Sequence, residues 1–200
     1  TVEEVLASRM IADPLTLLQC CPTSDGAAAA VLGPATGGSR EVRVRGLALR
    51  SGVPWNHASP HVWGHDIVRD TAADALAAAE LADVADVDVL EVHDAFTIGE
   101  IVTTEALGLV KPGEGGAAAA RGDTALGGAH PVNPSGGLLS RGHPLGATGL
   151  AQIAEITWQL RDEAGARQVE GARLGLVETM GGGVSVLDGN ACVVVLLEAP

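Results

Sequence analysis

The chain of 200 residues is 46% hydrophobic but only 2% aromatic, and its 25 acidic against 12 basic residues give a formal net charge of −13. This length allows one domain or slightly more, with a core built from Val, Leu, Ile and Ala. The negative charge argues against a nucleic-acid or anionic-membrane surface, because both attract positive patches. The apolar runs are too short for a membrane span, so we expect none.

The beginning of the chain predicts two strands after a weakly helical opening. Residues 1–19 carry apolar residues at loosely helical spacing, and residues 20–26 are rich in turn-forming types. Residues 27–32 form a short apolar run that predicts a buried strand, and residues 41–50 alternate in the manner of another strand. We expect these two strands to pair in one sheet, separate from the later strands.

The segment 51–66 contains Pro, Gly, two Trp and three His, which is typical of an irregular crossover. His57, His61 and His65 are spaced four residues apart, and on a helix they would form a face suited to a metal ion. Pro60 lies within that span and opposes a helix, because it lacks an N–H and clashes with the preceding turn. An exposed loop is therefore favoured over a metal site, and we expect no metal.

The rest of the chain alternates helices with apolar strands, which predicts a layered α/β fold. The predicted helices cover residues 67–82, part of 94–109 and the segment from Pro144 onward, and the predicted strands cover 87–92, 173–179 and 192–197. Residues 110–135 are rich in Gly and Ala and are expected to be mostly loop. We expect the three strands to share a second sheet.

Two histidines lie where strands give way to helices. His93 ends a predicted strand, and His143 follows a glycine-rich loop, with Pro144 at the predicted first helical position. A helix N-terminus disfavours imidazolium, so His143 is expected to be neutral. Each histidine alone has a plainer interpretation: an incidental loop residue for His143, and a core residue bonded to Asp94 for His93. Together they can donate N–H groups to a developing oxyanion, and the backbone N–H of Gly181 can approach the same ligand.

Four stretches of the sequence resemble the C-terminal half of a thiolase, and most closely the sterol-carrier-protein type. They are His93-Asp94-Ala95-Phe96, Asn133-Pro134-Ser135-Gly136-Gly137, Gly142-His143-Pro144-Leu145-Gly146-Ala147-Thr148-Gly149 and the glycine turn 179–183. The resemblance runs over essentially the whole chain and implies the layered αβαβα thiolase fold. On this interpretation residues 1–52 close the N-terminal repeat, 53–66 form an irregular linker, and 67–200 form the C-terminal thiolase domain.

The resemblance implies chemistry on acyl-CoA thioesters, with coenzyme A as substrate carrier and no separate cofactor. In thiolases a nucleophilic Cys takes the acyl group, and that residue lies in an N-terminal half that these 200 residues do not contain. His143 and His93 match the oxyanion site of the family, Gly181 its second oxyanion hole, and Asn133 and Gly146 its substrate-binding positions. We therefore expect a partner, either an N-terminal thiolase half or a second subunit, and a homo- or hetero-oligomer.

The chain departs from the thiolase pattern at two positions. This branch normally carries Cys where Ala95 stands, and ordinary thiolases carry an acid/base Cys where Thr179 stands, so both thiols are missing. Steroid side-chain aldolases of the same superfamily share the His-Asp-Ala-Phe sequence, but they rely on tyrosines and this chain has none. Three functions stay open: a thiolase-like acyltransferase, a retro-aldol lyase on CoA-linked side chains with a partner subunit, and a non-catalytic acyl-CoA or lipid carrier.

The three cysteines do not match the motif of the thiolase nucleophile. Cys20 and Cys21 are expected to be small packed residues, and Cys192 a residue of a strand core. Their number and spacing indicate neither a disulfide framework nor a metal site, which favours a cytoplasmic protein.

Overall fold

The computed structural model describes residues 1–183 and 186–200. Its helices are α1 (Val2–Ala7), α2 (His65–Ala78), α3 (Thr97–Leu107), α4 (Gly115–Arg121), α5 (Gly137–Arg141) and α6 (Thr148–Gln159). Its strands are β1 (Met10–Ala12), β2 (Leu15–Thr16), β3 (Arg43–Arg50), β4 (Val89–Glu91), β5 (Leu174–Met180) and β6 (Cys192–Glu198). Within the described ranges, no helix combines the length and apolar character that crossing a membrane requires.

Four strands form one mixed sheet in the order β3-β6-β5-β4. β3 and β5 run antiparallel to β6, and β4 runs parallel to β5. The predicted division into two sheets is therefore wrong, because β3 pairs with β6, for example Leu47 with Val195 and Arg50 with Cys192. The irregular segment after β3 returns the chain to the same sheet, where α2 packs against β3 and β6.

The apolar run at residues 27–32 is not a strand, contrary to the prediction. It carries no strand assignment, and Val31 and Leu32 are 99% and 83% exposed. The run borders an open apolar groove whose other walls include Leu47 and Val195 of the sheet. Apolar character alone does not distinguish a paired strand from a segment that lies along such a groove, which explains the error.

Helices cover both faces of the sheet, which confirms the predicted layered α/β fold. On one face Ile67, Val68, Ala72 and Ala75 of α2 join a core with Leu176, Val194 and Leu196. On the other face Ile156 and Leu160 pack with Val89, Val177 and Leu197. Close approach of each helix depends on a glycine in a strand: a Cβ on Gly46 would lie 2.5 Å from the Ala75 carbonyl oxygen, and one on Gly175 would clash with Ile156.

Most later elements match the prediction, with their ends shifted by a few residues, but one helix begins later than predicted. Residues 110–135 are mostly loop, as expected, and contain the short helix α4. Helix α6 begins at Thr148 and not at Pro144, because Pro144 opens a turn before the helix. The N–H groups of Ala147 and Thr148 both donate to the Pro144 carbonyl, at 2.8 and 3.0 Å. His143 therefore does not occupy a helix N-terminus.

Candidate active site

The side chains of His93 and His143 meet edge to face. Their ring centroids lie 4.8 Å apart and their planes cross at 89°. His93 comes just after β4, and His143 lies in the loop between α5 and α6. The fold thus brings together two histidines that are distant in the sequence, as the motifs predict.

Residues of β5 hold His93 in place. Its backbone N–H donates to Glu178 Oε2 at 2.9 Å, and its ring Nδ1 lies 3.4 Å from Thr179 Oγ1. The neighbouring Asp94 is buried and accepts the N–H of Leu138 at 2.7 Å, which ties this corner to α5. The alternative interpretation, in which His93 is bonded to Asp94, is therefore wrong: His93 contacts Glu178 and Thr179 of β5 instead.

The ring of His143 is oriented by Thr148. His143 Nδ1 lies 2.7 Å from Thr148 Oγ1, and that hydroxyl lies 3.1 Å from the Pro144 carbonyl oxygen. If the hydroxyl donates to the carbonyl, it accepts from Nδ1–H and Nε2 is an acceptor; if it donates to Nδ1, Nε2 carries the proton. In both tautomers Nε2 is the nitrogen that Thr148 does not engage.

A turn-rich segment near the start of the chain links the two histidine loops. The Cys21 N–H donates to the Ala95 carbonyl at 2.9 Å, and the His143 N–H donates to the Pro22 carbonyl at 3.0 Å. Thr23 and His143 also form a parallel bridge. The sequence does not reveal this role, because a turn-rich segment has the same composition on a free surface as between two distant loops.

Burial makes both histidines neutral near pH 7. Burial, reinforced by the neighbouring His143, lowers the pKa of His93 to about 4. Burial also lowers the pKa of His143. Neutrality was expected from a helix N-terminus, but desolvation is the cause, since α6 begins only at Thr148. A neutral imidazole offers one N–H donor and one lone pair.

An apolar cavity of about 270 Å³ opens beside His93. Its apolar walls include Trp63, Val68, Ala95, Phe96, Ile98 and Met180. Glu178 also lines the cavity, and burial raises the pKa of its carboxyl group to about 7. Such a cavity suits an apolar group held next to a few polar ones.

Gly181 does not share this cavity, contrary to the prediction. Its N–H donates to the Ala191 carbonyl at 2.6 Å, which continues the β5–β6 pairing past Met180. Gly182 and Gly183 lie in the cavity wall instead. The glycine turn therefore reaches the site, but the amide of Gly181 is already engaged.

Asn133 lies behind the site and holds the end of β4. Its backbone has a positive φ of 52°, its Oδ1 accepts the Val92 N–H at 2.8 Å, and its own N–H donates to the Leu90 carbonyl at 2.8 Å. Gly146 borders a separate open cleft together with residues 24–28. Neither predicted substrate-binding residue belongs to the cavity beside His93.

Buried carboxyl groups around the histidines are the residues that sequence reasoning missed. Glu91 accepts the Ser135 hydroxyl at 2.8 Å and the Ser135 N–H at 3.1 Å, and it lies 3.4 Å from the Arg141 guanidinium. Burial raises the pKa of Glu91 to about 7 and that of Asp94 to about 6. An acidic residue in or just after a strand has no sequence signal that separates a buried anchor from a solvent-facing side chain.

Several known proteins are similar to this chain over most of its length. It is 50% identical over 187 residues to the acetyl-CoA acetyltransferase of Methanothermobacter thermautotrophicus, covering 91% of the chain and 48% of that protein. It is 45% identical over 197 residues to sterol carrier protein 2 of Rattus norvegicus, covering 94% and 36%. It is 40% identical over 189 residues to benzoylsuccinyl-CoA thiolase subunit BbsB of Thauera aromatica, covering 92% and 49%. The chain therefore spans about half the length of these relatives or less.

The fold has a counterpart among solved structures. A chain of the Ltp2-ChsH2(DUF35) aldolase superposes with a TM-score of 0.78 at 22% identity, covering 100% of this chain and 51% of that one. At this identity the likeness shows the fold alone. The family model described as "Thiolase C-terminal domain-like" matches residues 56–196. The predicted resemblance is confirmed, and the chain belongs to the thiolase C-terminal domain-like family.

Proposed function

We propose that this chain supplies the oxyanion-binding part of an acyl-CoA-handling enzyme, which forms or cleaves a carbon–carbon bond next to a thioester. The observation that carries the proposal is the contact between two neutral imidazoles, His93 and His143. Of the two, His93 lines the apolar cavity, whereas His143 is not among the lining residues, contrary to the expectation that both face one pocket. Fixed N–H donors stabilise the negative charge that develops on a thioester oxygen, and they act more strongly where water is excluded. The named acetyl-CoA and benzoylsuccinyl-CoA activities of the relatives support an acyl-CoA substrate.

Two of the chain's three thiols, those of Cys21 and Cys192, suit the role of acyl-accepting nucleophile poorly, and none of the three matches the motif of the thiolase nucleophile. Burial raises the pKa of the Cys192 thiol. Burial, together with the charges of Asp94 and Cys20, raises the pKa of Cys21. A raised pKa keeps a thiol protonated, and the thiolate is the reactive form. The nucleophile therefore comes from an N-terminal thiolase half or a partner subunit, and BbsB is itself named as a subunit.

Within such an assembly the two histidines have different surroundings. Thr148 engages Nδ1 of His143, so we assign the chemistry to Nε2, which would exchange a proton with the nucleophilic thiol or donate to the thioester oxygen. His93 is held by Glu178 and completes the oxyanion site. Glu178 is a positioning residue, because it acts through the backbone of His93.

A retro-aldol lyase on CoA-linked side chains is the second candidate, and the missing thiols at Ala95 and Thr179 favour it. Retro-aldol cleavage also develops charge on a thioester oxygen, but its base removes a hydroxyl proton and needs no thiol at either position. A non-catalytic carrier would use the apolar cavity alone and would not depend on two converging donors. Because its cysteines fit no disulfide framework, we propose a cytoplasmic location.

The experiment that separates these functions uses the complete protein with its N-terminal half or partner. Thiolysis of acetoacetyl-CoA, retro-aldol cleavage of a 3-hydroxyacyl-CoA and binding of an acyl-CoA are measured for the wild type and for His93→Ala and His143→Ala. Turnover that falls in the variants while acyl-CoA binding persists supports an oxyanion role, and the reacting substrate selects transferase or lyase. Acyl-CoA binding with no turnover in either assay contradicts the proposed enzyme and indicates a carrier.

A further inference from the structure

The start of α2 and the loop before it bring together three side chains that lie outside the His93–His143 pair. The ligand atoms of His61, His65 and Asp66 all lie within 4.8 Å of one another. Nδ1 of His61 lies 2.9 Å and Nδ1 of His65 lies 3.2 Å from the same oxygen, Asp66 Oδ1. The two imidazole rings stack with centroids 4.5 Å apart and an interplanar angle of 24°. Two ring nitrogens thus approach the same carboxylate oxygen, and all three ligand atoms are close enough to bind one ion.

The backbone that presents these side chains is anchored to the rest of the fold. Both carboxylate oxygens of the buried Asp188 accept backbone N–H groups at the start of α2, from Gly64 at 2.6 Å and from Ile67 at 3.0 Å. The Trp63 indole N–H donates to the Leu187 carbonyl at 2.9 Å. On the other side, the Trp55 indole N–H donates to the carbonyl of His61 at 3.0 Å. These hydrogen bonds fix the backbone that carries the cluster on both sides.

The donor set selects the class of ligand. Imidazole nitrogen combined with carboxylate oxygen suits zinc and neighbouring divalent transition metals, whereas Mg²⁺ and Ca²⁺ prefer oxygen ligands alone. The His61 side chain is 42% exposed, so water can complete a tetrahedral shell. His65 is almost buried, which fixes one ligand firmly while the other can adjust.

Arg69 is the positive group that competes for the same carboxylate. Its guanidinium lies 2.7 Å from Asp66 Oδ1. The same guanidinium also pairs with Asp70 at 2.8 Å, so it keeps a carboxylate partner when a cation takes Asp66. Arg69 is therefore displaced without being left unpaired.

We propose that His61, in the loop before α2, and His65 and Asp66, in the first turn of α2, form a zinc-class divalent metal site. Trp63 and Gly64 lie between the ligands in sequence and line the cavity beside His93, so a bound ion would brace that wall. The spacing of three histidines suggested a helical face that includes His57, and an exposed loop without metal was expected. In the structure Pro60 does break the helix, but His61 and His65 still meet, while His57 packs against Trp55 instead.

The test measures zinc binding to the metal-stripped complete protein by two methods, calorimetry and thermal unfolding. We expect saturable binding and a rise in the melting temperature with zinc concentration, because a ligand that binds the folded state stabilises it. His61→Ala and Asp66→Asn are expected to weaken zinc binding by about tenfold or more. His57→Ala is the matched control, and Cys20→Ser with Cys21→Ser excludes the thiols as ligands.

Circular dichroism establishes that each variant is folded before binding is compared. Since His61 is a surface residue, its replacement leaves the core intact and isolates the metal effect. Retained zinc affinity in both His61→Ala and Asp66→Asn, or an equal loss in His57→Ala, would overturn the assignment. Absence of any zinc-dependent stabilisation in the wild type would overturn it as well.

Discussion

At the scale of single residues, the site depends on burial of groups that would otherwise be charged. His93 is neutral because its surroundings exclude water, and Glu178 beside it carries a raised pKa for the same reason. The motifs single out His93 and His143, which are part of the resemblance to thiolases, and the structure places their rings in contact. They are not sufficient to predict Glu178, because its role follows from the pairing of β4 with β5.

Loss of either histidine should slow the reaction more than it weakens binding. For His143→Ala in the complete protein we expect a loss of about 2.7–4 kcal/mol of transition-state stabilisation, the usual result of removing one oxyanion donor. The effect should appear in kcat, because the charge on the oxygen develops only in the transition state. His57→Ala, an exposed histidine outside the pair, serves as the control in steady-state assays. Equal kcat values for wild type and both histidine variants would contradict the assigned role.

Glu178 makes stability depend on pH in a defined direction. Its pKa rises from 4.5 to about 7 on folding, so between those values the folded protein holds a proton that the unfolded chain has released. The stabilising contribution is complete below about pH 4.5 and is lost as the pH rises through 7. Glu178→Gln has no carboxyl group to titrate, so it does not lose this stability as the pH rises. The free energy of unfolding of the variant relative to wild type should therefore increase by on the order of 3 kcal/mol from pH 5 to pH 8.

Urea unfolding of the two proteins at both pH values provides the measurement. The side-chain amide that Glu178→Gln introduces can still accept the His93 N–H through its oxygen, so the comparison isolates the charge. Glu3→Gln, at an exposed position, is the control for a change of charge on the surface. A stability difference that is the same at pH 5 and pH 8 would show that Glu178 does not titrate in this range.

At the scale of secondary-structure elements, periodicity predicts most helices and strands but not how they pair. The sequence predicts β3 and β6 as strands, and their antiparallel pairing into one sheet could not be predicted because no local pattern encodes a partner. For residues 27–32 the element type itself is predicted wrongly. Their apolar run indicates a strand, but in the structure these residues border a groove and pair with no strand among the described residues. The same reasoning explains why the link from Cys21 and Pro22 to the histidine loops was missed.

Two glycines in the loop that contains His143, Gly142 and Gly146, are expected to differ in how well they tolerate substitution by alanine. Gly142 has a φ of +91°, and a Cβ there would clash with Ser24 Oγ. The Gly142 ψ of 168° places this residue in a region that is essentially restricted to glycine, so Gly142→Ala should destabilise the protein by about 1–3 kcal/mol from backbone conformation alone, with further loss from the clash. Gly146→Ala is the matched control, because its Cβ would meet no atom within 4 Å. Equal free energies of unfolding for the two variants would contradict close packing of Gly142 against Ser24.

At the scale of the whole molecule, one apolar surface has no cover within the part of the chain that the structure describes. Leu47, Val31, Leu150 and Trp158 are exposed and border the groove between the sheet, α6 and residues 27–32. Large apolar patches on a chain of this kind mark interfaces. We therefore expect this surface to be covered by a partner or an N-terminal thiolase half; the chain matches at most about half of each relative compared.

Light scattering of the isolated chain tests this expectation. We predict association or aggregation of the chain alone, and a defined complex when an N-terminal thiolase half or partner subunit is supplied. Trp158→Arg places a charge in the groove and should weaken that complex, whereas His57→Ala should not. A stable, non-aggregating monomer of 20.1 kDa would contradict the prediction.

The central claim is that His93 and His143 polarise a thioester oxygen, and infrared spectroscopy of a bound acyl-CoA tests it most directly. The stretching frequency of an isotope-labelled thioester carbonyl is measured in the complete protein, in the double variant His93→Ala/His143→Ala and in His57→Ala. Hydrogen bonds to the oxygen weaken the carbonyl bond, so we predict a lower frequency in the wild type and in His57→Ala than in the double variant. The same frequency in all three proteins, with the acyl-CoA bound in each, would contradict the claim.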